Sequence, residues 1–429
     1  MTDLCRLSAG NIAAKIRTKE TTAAEVMAAH LDRIALREPM VQAFEYLDYD
    51  AAMARAKAAD ATPTDGLLHG VPFVIKDIID TDDMPTCWGS PIYQRRQPRQ
   101  NADCVQRFIA AGAVPVGKTV TTEFAFFRPS KTANPHNLAH TPGGSSSGSA
   151  AAVADYMAPI GFGSQTVASL IRPAAYCGVS AFKPTTGGYD LTGVMSLSHS
   201  LDTLGTLARD PRDHLLTHQV LRGAYTGPEP DFCDTLPRIG LMRGPHWMDG
   251  DIAMRDVCTR ALAAIACTGA DTCELVHPQV FNDLTNAQIT VMGYESARIR
   301  AFEYDQYHDQ ISPQFAALIQ AGREVSDKQY SVALKIRDQA KIRLELLFAD
   351  VDAFLVPSAP GPAPEGLDST GDPLFSRIWN LLQLPCVALP FGTDQNGLPL
   401  GVQLIGRRDS DEVLLHIAHW LAGVLDDKK

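Results

Sequence analysis

The sequence predicts an α/β protein with one large mixed β-sheet in its core and helices covering both faces of that sheet. Short apolar segments with strand-like alternation recur along the 429 residues, and longer segments with helical spacing separate them. Such alternation is typical of a sheet covered by helices. The most linker-like stretch, residues 357–373, is rich in Pro, Gly, Ser and Asp, but the strands after it are too few for a core of their own. We therefore predict a single domain over residues 1–429.

The N-terminal half of the chain is predicted to pass from helix to strand and back to helix. A helical segment covers residues 1–60, and Thr21–Thr22 offers a cap to one of its helices. Apolar residues alternate over residues 71–79, which predicts a strand. Residues 101–112 return to helical spacing and end at a glycine suited to a left-handed exit. The strand and the second helix belong to a catalytic core predicted over residues 65–215.

Further signals place three boundaries within this core. Asn101 can cap the helix that it begins. Val120–Phe124 has the composition of a strand. The alanine-rich segment Ala150–Ala154 predicts a helix directly after a Gly/Ser run.

The C-terminal half is predicted to begin with helices and to end with strands. Residues 280–350 are mostly helical in their spacing. Residues 351–429 form the C-terminal part of the same sheet. Its strands are predicted at residues 352–357, 385–391 and 399–405. A last amphipathic helix begins after Ser410.

Composition and charge exclude several classes of partner. The net charge of −11 argues against nucleic acid, whose phosphates need clustered Lys and Arg. The nine cysteines form no CxxC pair and no His/Cys cluster with metal-ligand spacing, so we expect reduced thiols in the cytoplasm and neither metal nor cofactor. The N-terminus is too polar for a signal peptide, and no apolar run reaches about 18 residues, so no membrane segment is expected.

Two motif matches are interpreted as coincidental. Gly112–Thr119 fits the phosphate-loop pattern GxxxxGK[ST], but a helix precedes it and a strand-like segment follows, the reverse of the order that such a loop needs. Gly144–Gly148 fits the nucleophile elbow GxSxG, but a loop rather than an apolar strand leads into it. That elbow would require a Ser/His/Asp triad, which can be assembled on paper from Ser146, His199 and Asp202.

A different combination of residues contains all the groups that an acyl-transfer reaction needs. The run Pro142–Ser149 is a poor helix or strand but a good nest of backbone N–H groups and small hydroxyls. Lys76 lies near the end of the apolar strand at 71–79, and Ser169 lies in a small-residue turn further along. A serine is a weak nucleophile until a base takes its proton, and a lysine is a base only when neutral. One lysine, one bridging serine and one attacking serine point to an amide hydrolase.

These segments closely resemble the amidase signature family. The matching blocks are Gly143–Ala150, the Ser169 segment continuing through Ile171–Val179, Phe182–Thr185 and Leu68–Pro72. The interval from Ser145 to Ser169 equals the family's interval between the bridging and the nucleophilic serine. Weaker resemblance extends over nearly the whole chain and implies a single α/β domain with a large mixed sheet surrounded by helices.

The resemblance implies a Ser–cis-Ser–Lys triad. Ser169 would attack the amide carbonyl, and Ser145, reached through a cis peptide after Gly144, would relay the proton to Lys76. The oxyanion would be held by the backbone N–H groups of Thr166, Val167, Ala168 and Ser169. The site must also lower the pKa of the lysine, because a lysine at its usual pKa of about 10.4 is almost wholly charged at pH 7.

The sequence departs from the commonest family pattern beside the nucleophile. Val167 and Ala168 precede Ser169 where two glycines are usual, which would narrow the acyl pocket or alter the turn. Gln165 replaces a commoner aspartate, and Arg172 follows the nucleophile by three residues rather than two. These two features resemble the malonamidase-like branch of bacterial small-amide hydrolases. That branch implies a small amide that bears a carboxylate.

The sequence therefore predicts a hydrolase that cleaves the C–N bond of a small-molecule amide through an acyl-enzyme, without metal or cofactor. Its substrate contacts are predicted at Arg172, Gln165 and Ser146. Arg172 is either an anchor for a substrate carboxylate or a structural residue paired with a carboxylate or backbone carbonyls. The alternative function is the amidase subunit of a tRNA-dependent amidotransferase, releasing ammonia from glutamine to a partner. No nucleic acid or membrane is expected to bind this chain, and a homodimer is one open assembly state.

Overall fold

Helices and strands alternate through most of the chain, as the sequence predicts. The computed structural model describes residues 3–62, 66–223 and 236–426. The helices are α1 Ala9–Arg17, α2 Ala23–Val41, α3 Tyr49–Ala61, α4 Asp103–Ala110, α5 Ser147–Ala154, α6 Ile171–Cys177, α7 Arg212–Arg222, α8 Ile252–Ala266, α9 Leu284–Ile299, α10 Ala301–Gln306, α11 Pro313–Glu324, α12 Asp327–Leu347, α13 Leu374–Leu381 and α14 Asp411–Asp426. The strands are β1 Phe44–Leu47, β2 Pro72–Lys76, β3 Val114–Thr119, β4 Ile160–Gln165, β5 Ser180–Lys183, β6 Thr203–Ala208, β7 Ile239–Arg243, β8 Thr272–Val276, β9 Ala353–Pro357, β10 Cys386–Thr393 and β11 Pro399–Gly406. Among these described residues, no helix is both long and apolar enough to cross a membrane.

The strands form one mixed sheet. Across the described ranges it is 11-stranded, with the order β1-β3-β2-β4-β6-β5-β10-β11-β9-β7-β8. The pairs β3–β2 and β2–β4 are parallel, as are β9–β7 and β7–β8 near the other edge, and antiparallel pairs join these two groups. The prediction of a single α/β domain with a large mixed sheet is confirmed. The segment boundaries proposed inside that domain stay predictions, and the proposed start of the core at residue 65 lies outside the described residues.

Strands buried on both faces lie at the centre of the fold. Every residue of β2, β3, β4 and β6 is buried, which is expected for strands covered by helices on both sides. The rings of Phe73, Phe108 and Phe162 pack against one another with centroids 4.3 to 5.7 Å apart. Helix α5 packs against β2 and β4. The C-terminal ends of these two neighbouring strands are therefore held in a rigid environment.

The predicted start of one helix and the predicted end of another agree with the structure. Thr22 forms a capping box with Glu25 at the start of α2. Gly112 follows α4 with φ of +86°, and a Cβ at this position would lie 2.8 Å from His69 Cα. Both the left-handed conformation and the close approach therefore require glycine.

Three predictions of local structure are wrong. Residues 1–60 are not wholly helical, because the four-residue strand β1 pairs there with β3. Asn101 does not cap α4, since its Oδ1 instead accepts a hydrogen bond from the backbone N–H of Asp82. Val120–Phe124 is not a strand, because β3 ends at Thr119 and the chain then bends into a short 3₁₀ turn.

Candidate active site

Lys76 is the last residue of β2, and its side chain is fully buried. Its Nζ donates hydrogen bonds to Ser145 Oγ at 2.7 Å and to Ser164 Oγ at 2.8 Å. Burial lowers the pKa of Lys76 well below its ordinary value of 10.5, although the charge of Asp202 acts in the opposite direction. A lysine with a lowered pKa becomes neutral at a lower pH, and only the neutral amine can accept a proton. The base therefore has the environment that its proposed role requires.

The Gly/Ser run forms a tight turn directly before α5. The peptide bond between Gly144 and Ser145 is cis, the conformation that the resemblance implied. Gly143 has φ of +80°, and a Cβ there would lie 2.9 Å from Pro173 Cα, so the turn requires glycine. This turn presents the hydroxyl of Ser145 to Lys76.

Ser169 lies in the turn between β4 and α6, and its side chain is largely buried. Gln165 at the end of β4 holds this turn, because its Oε1 accepts hydrogen bonds from the backbone N–H groups of residues 170 and 171 at 3.0 and 3.1 Å. The backbone N–H of Ser146 donates to Ser169 O at 3.3 Å. This bond fixes the Gly/Ser turn against the turn that carries Ser169.

The turn that carries Ser169 offers a group of free backbone donors. Within the described part of the chain, no acceptor is paired with the backbone N–H groups of Thr166, Val167, Ala168 and Ser169. Neither Val167 nor Ala168 has a positive φ, so the two side chains cause no backbone strain there. Asn380 Nδ2 donates to Thr166 O at 2.7 Å and supports the turn from α13. Free N–H groups on a supported turn are what an oxyanion hole requires.

Ser145 and Ser169 both line a small cavity. Much of its wall is apolar and comprises Ala125, Phe126, Phe127, Leu197, Met292 and Pro373. Among the described residues, no hydrogen bond joins the hydroxyls of the two serines. Catalytic hydrogen bonds of this kind often tighten only when a substrate is bound. The structure thus brings the three predicted triad residues to one site, with Lys76 and Ser145 already in contact.

Arg172 lines the same cavity, and oxygen atoms of the chain hold its guanidinium. Its Nη2 donates to Gly144 O at 2.7 Å and to Thr370 Oγ1 at 3.1 Å, while its Nη1 donates to Gly371 O at 2.6 Å. Burial lowers the pKa of Arg172 to about 10, so the side chain stays charged at neutral pH. Its Nε is buried and has no hydrogen-bond partner among the described residues. Arg172 therefore supports the Gly/Ser turn and keeps one N–H group without a partner there.

A family model described as Amidase matches residues 25–415 of this chain. The chain belongs to the amidase signature family. It is similar to the A subunit of the glutamyl-tRNA(Gln) amidotransferase from Cyanothece sp., with 32% identity over 455 residues that cover 94% of each chain. The subunit of the same name from Acidothermus cellulolyticus is 32% identical over 476 residues, covering 97% of this chain and 94% of that relative.

Solved structures of the same fold include two described as amidases and one described as part of a protein complex. A structure described as "Crystal structure of amidase" has a TM-score of 0.89 and 28% identity, covering 98% of this chain and all (100%) of the other. The peptide amidase from Stenotrophomonas maltophilia has a TM-score of 0.83 and 25% identity, covering 98% and 97%. A structure described as an "unexpected vestigial protein complex" that reveals the origins of an s-triazine catabolic enzyme has a TM-score of 0.90 and 25% identity, covering 98% of each chain. These relatives support C–N hydrolase chemistry but do not place this chain in the malonamidase-like branch.

The phosphate-loop match of this chain is mostly a buried strand. Lys118 lies on β3, after helix α4, which is the reverse of the strand–helix order that phosphate loops use. Its Nζ is fully buried and donates to Ile79 O at 2.7 Å and to Thr86 Oγ1 at 2.5 Å. Lys118 therefore holds the core together and faces no phosphate site.

The structure does not bring together the residues of the alternative Ser/His/Asp triad. Ser146 Oγ donates to Ser164 O and accepts from Ser164 N, both at 3.3 Å. The side chain of His199 is 67% exposed, and its Nδ1 lies 3.5 Å from Glu295 Oε2. Asp202 accepts hydrogen bonds from hydroxyl and backbone groups instead. The three residues therefore do not form a charge-relay chain.

The three predicted substrate contacts differ in position. Arg172 lines the cavity, whereas Gln165 and Ser146 are fully buried and bond to the backbone that carries the serines. The residue types alone do not predict these positions, because the conformation of the turn decides where each side chain points. Across the described residues, no group of three or more His, Cys, Asp or Glu side chains is placed to hold a metal ion.

Two residues of the site were not predicted from the sequence. Ser164 is the second hydrogen-bond partner of Lys76, and Asn380 supports the oxyanion turn. Ser164 directly precedes Gln165 in β4, so a polar residue in a buried strand next to the nucleophile turn was the available signal. The sequence around Asn380 does not predict this contact, because α13 reaches the turn only in the folded protein.

We expect Ser164→Ala to lower kcat about fivefold with little change in KM. Lys76 would lose one of its two hydroxyl partners, and a hydrogen bond of this kind contributes about 1 kcal/mol. Steady-state kinetics on an amide that the wild type hydrolyses provide the measurement. Ser164→Thr keeps a hydroxyl and is the matched control, so it should recover most of the activity. Equal kcat values for Ser164→Ala and the wild type would contradict a role for this contact.

Proposed function

We propose that this chain hydrolyses the C–N bond of a small carboxamide through an acyl-enzyme on Ser169. The contact between the buried Lys76 and Ser145, beside the cavity that Ser169 also lines, is the observation that carries the proposal. The lowered pKa of Lys76 supports it, because the neutral amine that can start proton transfer then forms at a lower pH.

The reaction begins when Ser169 Oγ attacks the carbonyl carbon of the amide. The proton of Ser169 passes to Ser145 Oγ, and the proton of Ser145 passes to Lys76 Nζ. The tetrahedral intermediate then collapses, its C–N bond breaks, and the same protons return through Ser145 to the leaving nitrogen. Water then attacks the acyl-enzyme, and its proton passes through Ser145 to Lys76. The proton returns to the oxygen of Ser169 as the carboxylic acid leaves, which restores the hydroxyl. The free N–H groups of residues 166–169 hold the negative oxygen in both halves.

A carboxylate on the substrate fits the cavity through Arg172. Its Nε–H is buried without a partner on a residue that lines the cavity. A carboxylate would satisfy this donor and neutralise the buried charge. The resemblance of Gln165 and Arg172 to the malonamidase-like branch supports the same substrate class.

We expect Arg172→Lys to lower kcat/KM for a carboxylate-bearing amide at least tenfold more than for a neutral amide. A lysine keeps the charge but loses the planar guanidinium, and a charge-assisted hydrogen bond contributes about 1.5–3 kcal/mol. The comparison uses malonamate and propionamide with the same folded variant. Thr370→Val is the matched control, because it removes one contact of the guanidinium without changing Arg172 itself. Equal losses on the two amides, together with a lower melting temperature, would make Arg172 a structural residue only.

The amidase subunit of an amidotransferase is the second candidate function. The names of the curated relatives support this candidate better than they support a free-standing hydrolase. In such a role Ser169 would take the acyl group of glutamine, and the ammonia would pass to a partner subunit. The net charge of −11 makes any tRNA contact the task of that partner.

Ammonia release by the purified chain separates the two candidates. A free-standing hydrolase should release ammonia from malonamate, succinamate or propionamide when no other protein is present. An amidotransferase subunit should release ammonia from glutamine but not from these three amides, and should gain activity when its partner is added. The molecular mass of the same preparation in solution tests the proposed homodimer.

A further inference from the structure

Val167 occupies a position in the oxyanion turn where the commonest family pattern has glycine. Val167 lines the same cavity as Ser145 and Ser169 and is 6% exposed. Its φ is not positive, so the turn forms without needing glycine at this place. The isopropyl group is therefore an addition to the cavity wall that leaves the backbone donors in position.

The location of Val167 puts it beside the first atoms of any acyl group. A carbonyl oxygen held by the N–H groups of residues 166–169 lies about 3 Å from those nitrogens. The acyl carbon next to that carbonyl is one bond further on. Val167 belongs to this turn and lines the same cavity as Ser169, so it is part of the wall around an acyl group bound there.

The remainder of that wall offers little room for adjustment. Phe126 and Phe127 follow a turn in which Phe124 and Ala125 both have positive φ, at 48° and 58°. Two left-handed residues in succession persist only where the surroundings fix them. Here the Phe124 ring packs against Phe315 at a centroid distance of 4.5 Å. The turn is thus anchored in the core and cannot easily move away from a larger substrate.

We propose that Val167 sets the upper size of the acyl group and restricts this site to amides of short, unbranched acids. This inference rests on the proposed function. A β-branched side chain has few rotamers, so valine cannot turn aside as a methionine can. Ala168 in the same turn adds only a methyl group, which leaves Val167 as the larger obstacle.

The test measures how fast alkyl fluorophosphonates of increasing chain length label Ser169. In the wild type, the labelling rate should fall at least tenfold between the ethyl and the octyl probe, because a few methylene groups change recognition by about that factor. Val167→Ala should weaken this preference and Val167→Gly should remove it. Ala168→Gly introduces a glycine into the same turn without removing the isopropyl group, so it should keep the wild-type preference. A parallel series from acetamide to hexanamide should show the same order in kcat/KM.

Each outcome bears on either the inference or the proposed function. An unchanged preference in a folded Val167→Gly variant would overturn the inference, and so would a wild type that labels equally with all probes. Equal loss of preference in Ala168→Gly would mean that backbone flexibility, not size, is responsible. If labelling follows chain length as expected but no amide is hydrolysed, the proposed function fails and the size limit stands. No labelling of the wild type at all would remove both, since Ser169 would not be a nucleophile facing this cavity.

Discussion

Ser169→Ala should reduce amide hydrolysis by about 10⁵-fold or more and abolish labelling by fluorophosphonates. The loss of a nucleophile leaves only the oxyanion donors and binding to stabilise the reaction, so a small residual rate is all that remains. The fold should be unaffected, because no side-chain hydrogen bond of Ser169 holds the turn in the described structure, whereas Gln165 does. Intact-protein mass spectrometry after labelling and steady-state ammonia release are the two measurements.

Ser146→Ala is the matched control for the nucleophile. Ser146 belongs to the GxSxG match, but its hydroxyl is buried and bonded to the backbone of Ser164. We expect this variant to label normally and to lose some stability, since the backbone groups of Ser164 would lose a partner. Loss of labelling in Ser146→Ala but not in Ser169→Ala would establish the nucleophile elbow in place of the triad.

The residues of the triad could be predicted from sequence because each lies in a short segment with its own signal. Lys76 ends an apolar strand, Ser145 follows two glycines, and Ser169 stands at a fixed interval from it. The large mixed sheet was predictable for a similar reason, since fully buried strands have continuous apolar runs. The short strand β1 was missed because four residues give too little periodicity to distinguish a strand from a helix.

The surroundings of the triad could not be predicted because they depend on contacts between distant segments. Gln165 was predicted to contact substrate, yet its amide oxygen bonds to the backbone of residues 170 and 171. The guanidinium of Arg172 binds the carbonyl oxygens of Gly144 and Gly371, which come from loops on either side of it in sequence. Residue type states what a side chain can bond to, but the folded turn decides which partner it finds.

Lys76→Met should lower kcat about 10³-fold, because the general base and the acid that protonates the leaving nitrogen are lost together. Methionine fills most of the volume of the lysine, so the change avoids a large cavity between β2 and β4. The wild-type rate should rise with pH through the lowered pKa of Lys76 and reach a plateau below its ordinary value of 10.5. The residual activity of Lys76→Met should lack this rise, which a pH–rate profile of kcat/KM measures directly.

Lys118→Met separates this catalytic effect from the effect of removing a buried lysine. Lys118 is also fully buried, and burial lowers its pKa to about 8, although the nearby charge of Asp77 opposes this shift. Either lysine binds a proton more tightly in the unfolded chain than in the folded one, so each makes the free energy of unfolding rise with pH up to the ordinary lysine pKa. Both variants should therefore flatten the dependence of stability on pH, but only Lys76→Met should remove the rise in kcat/KM. A pH–rate profile that keeps its wild-type shape in Lys76→Met, or that changes equally in Lys118→Met, would exclude Lys76 as the base.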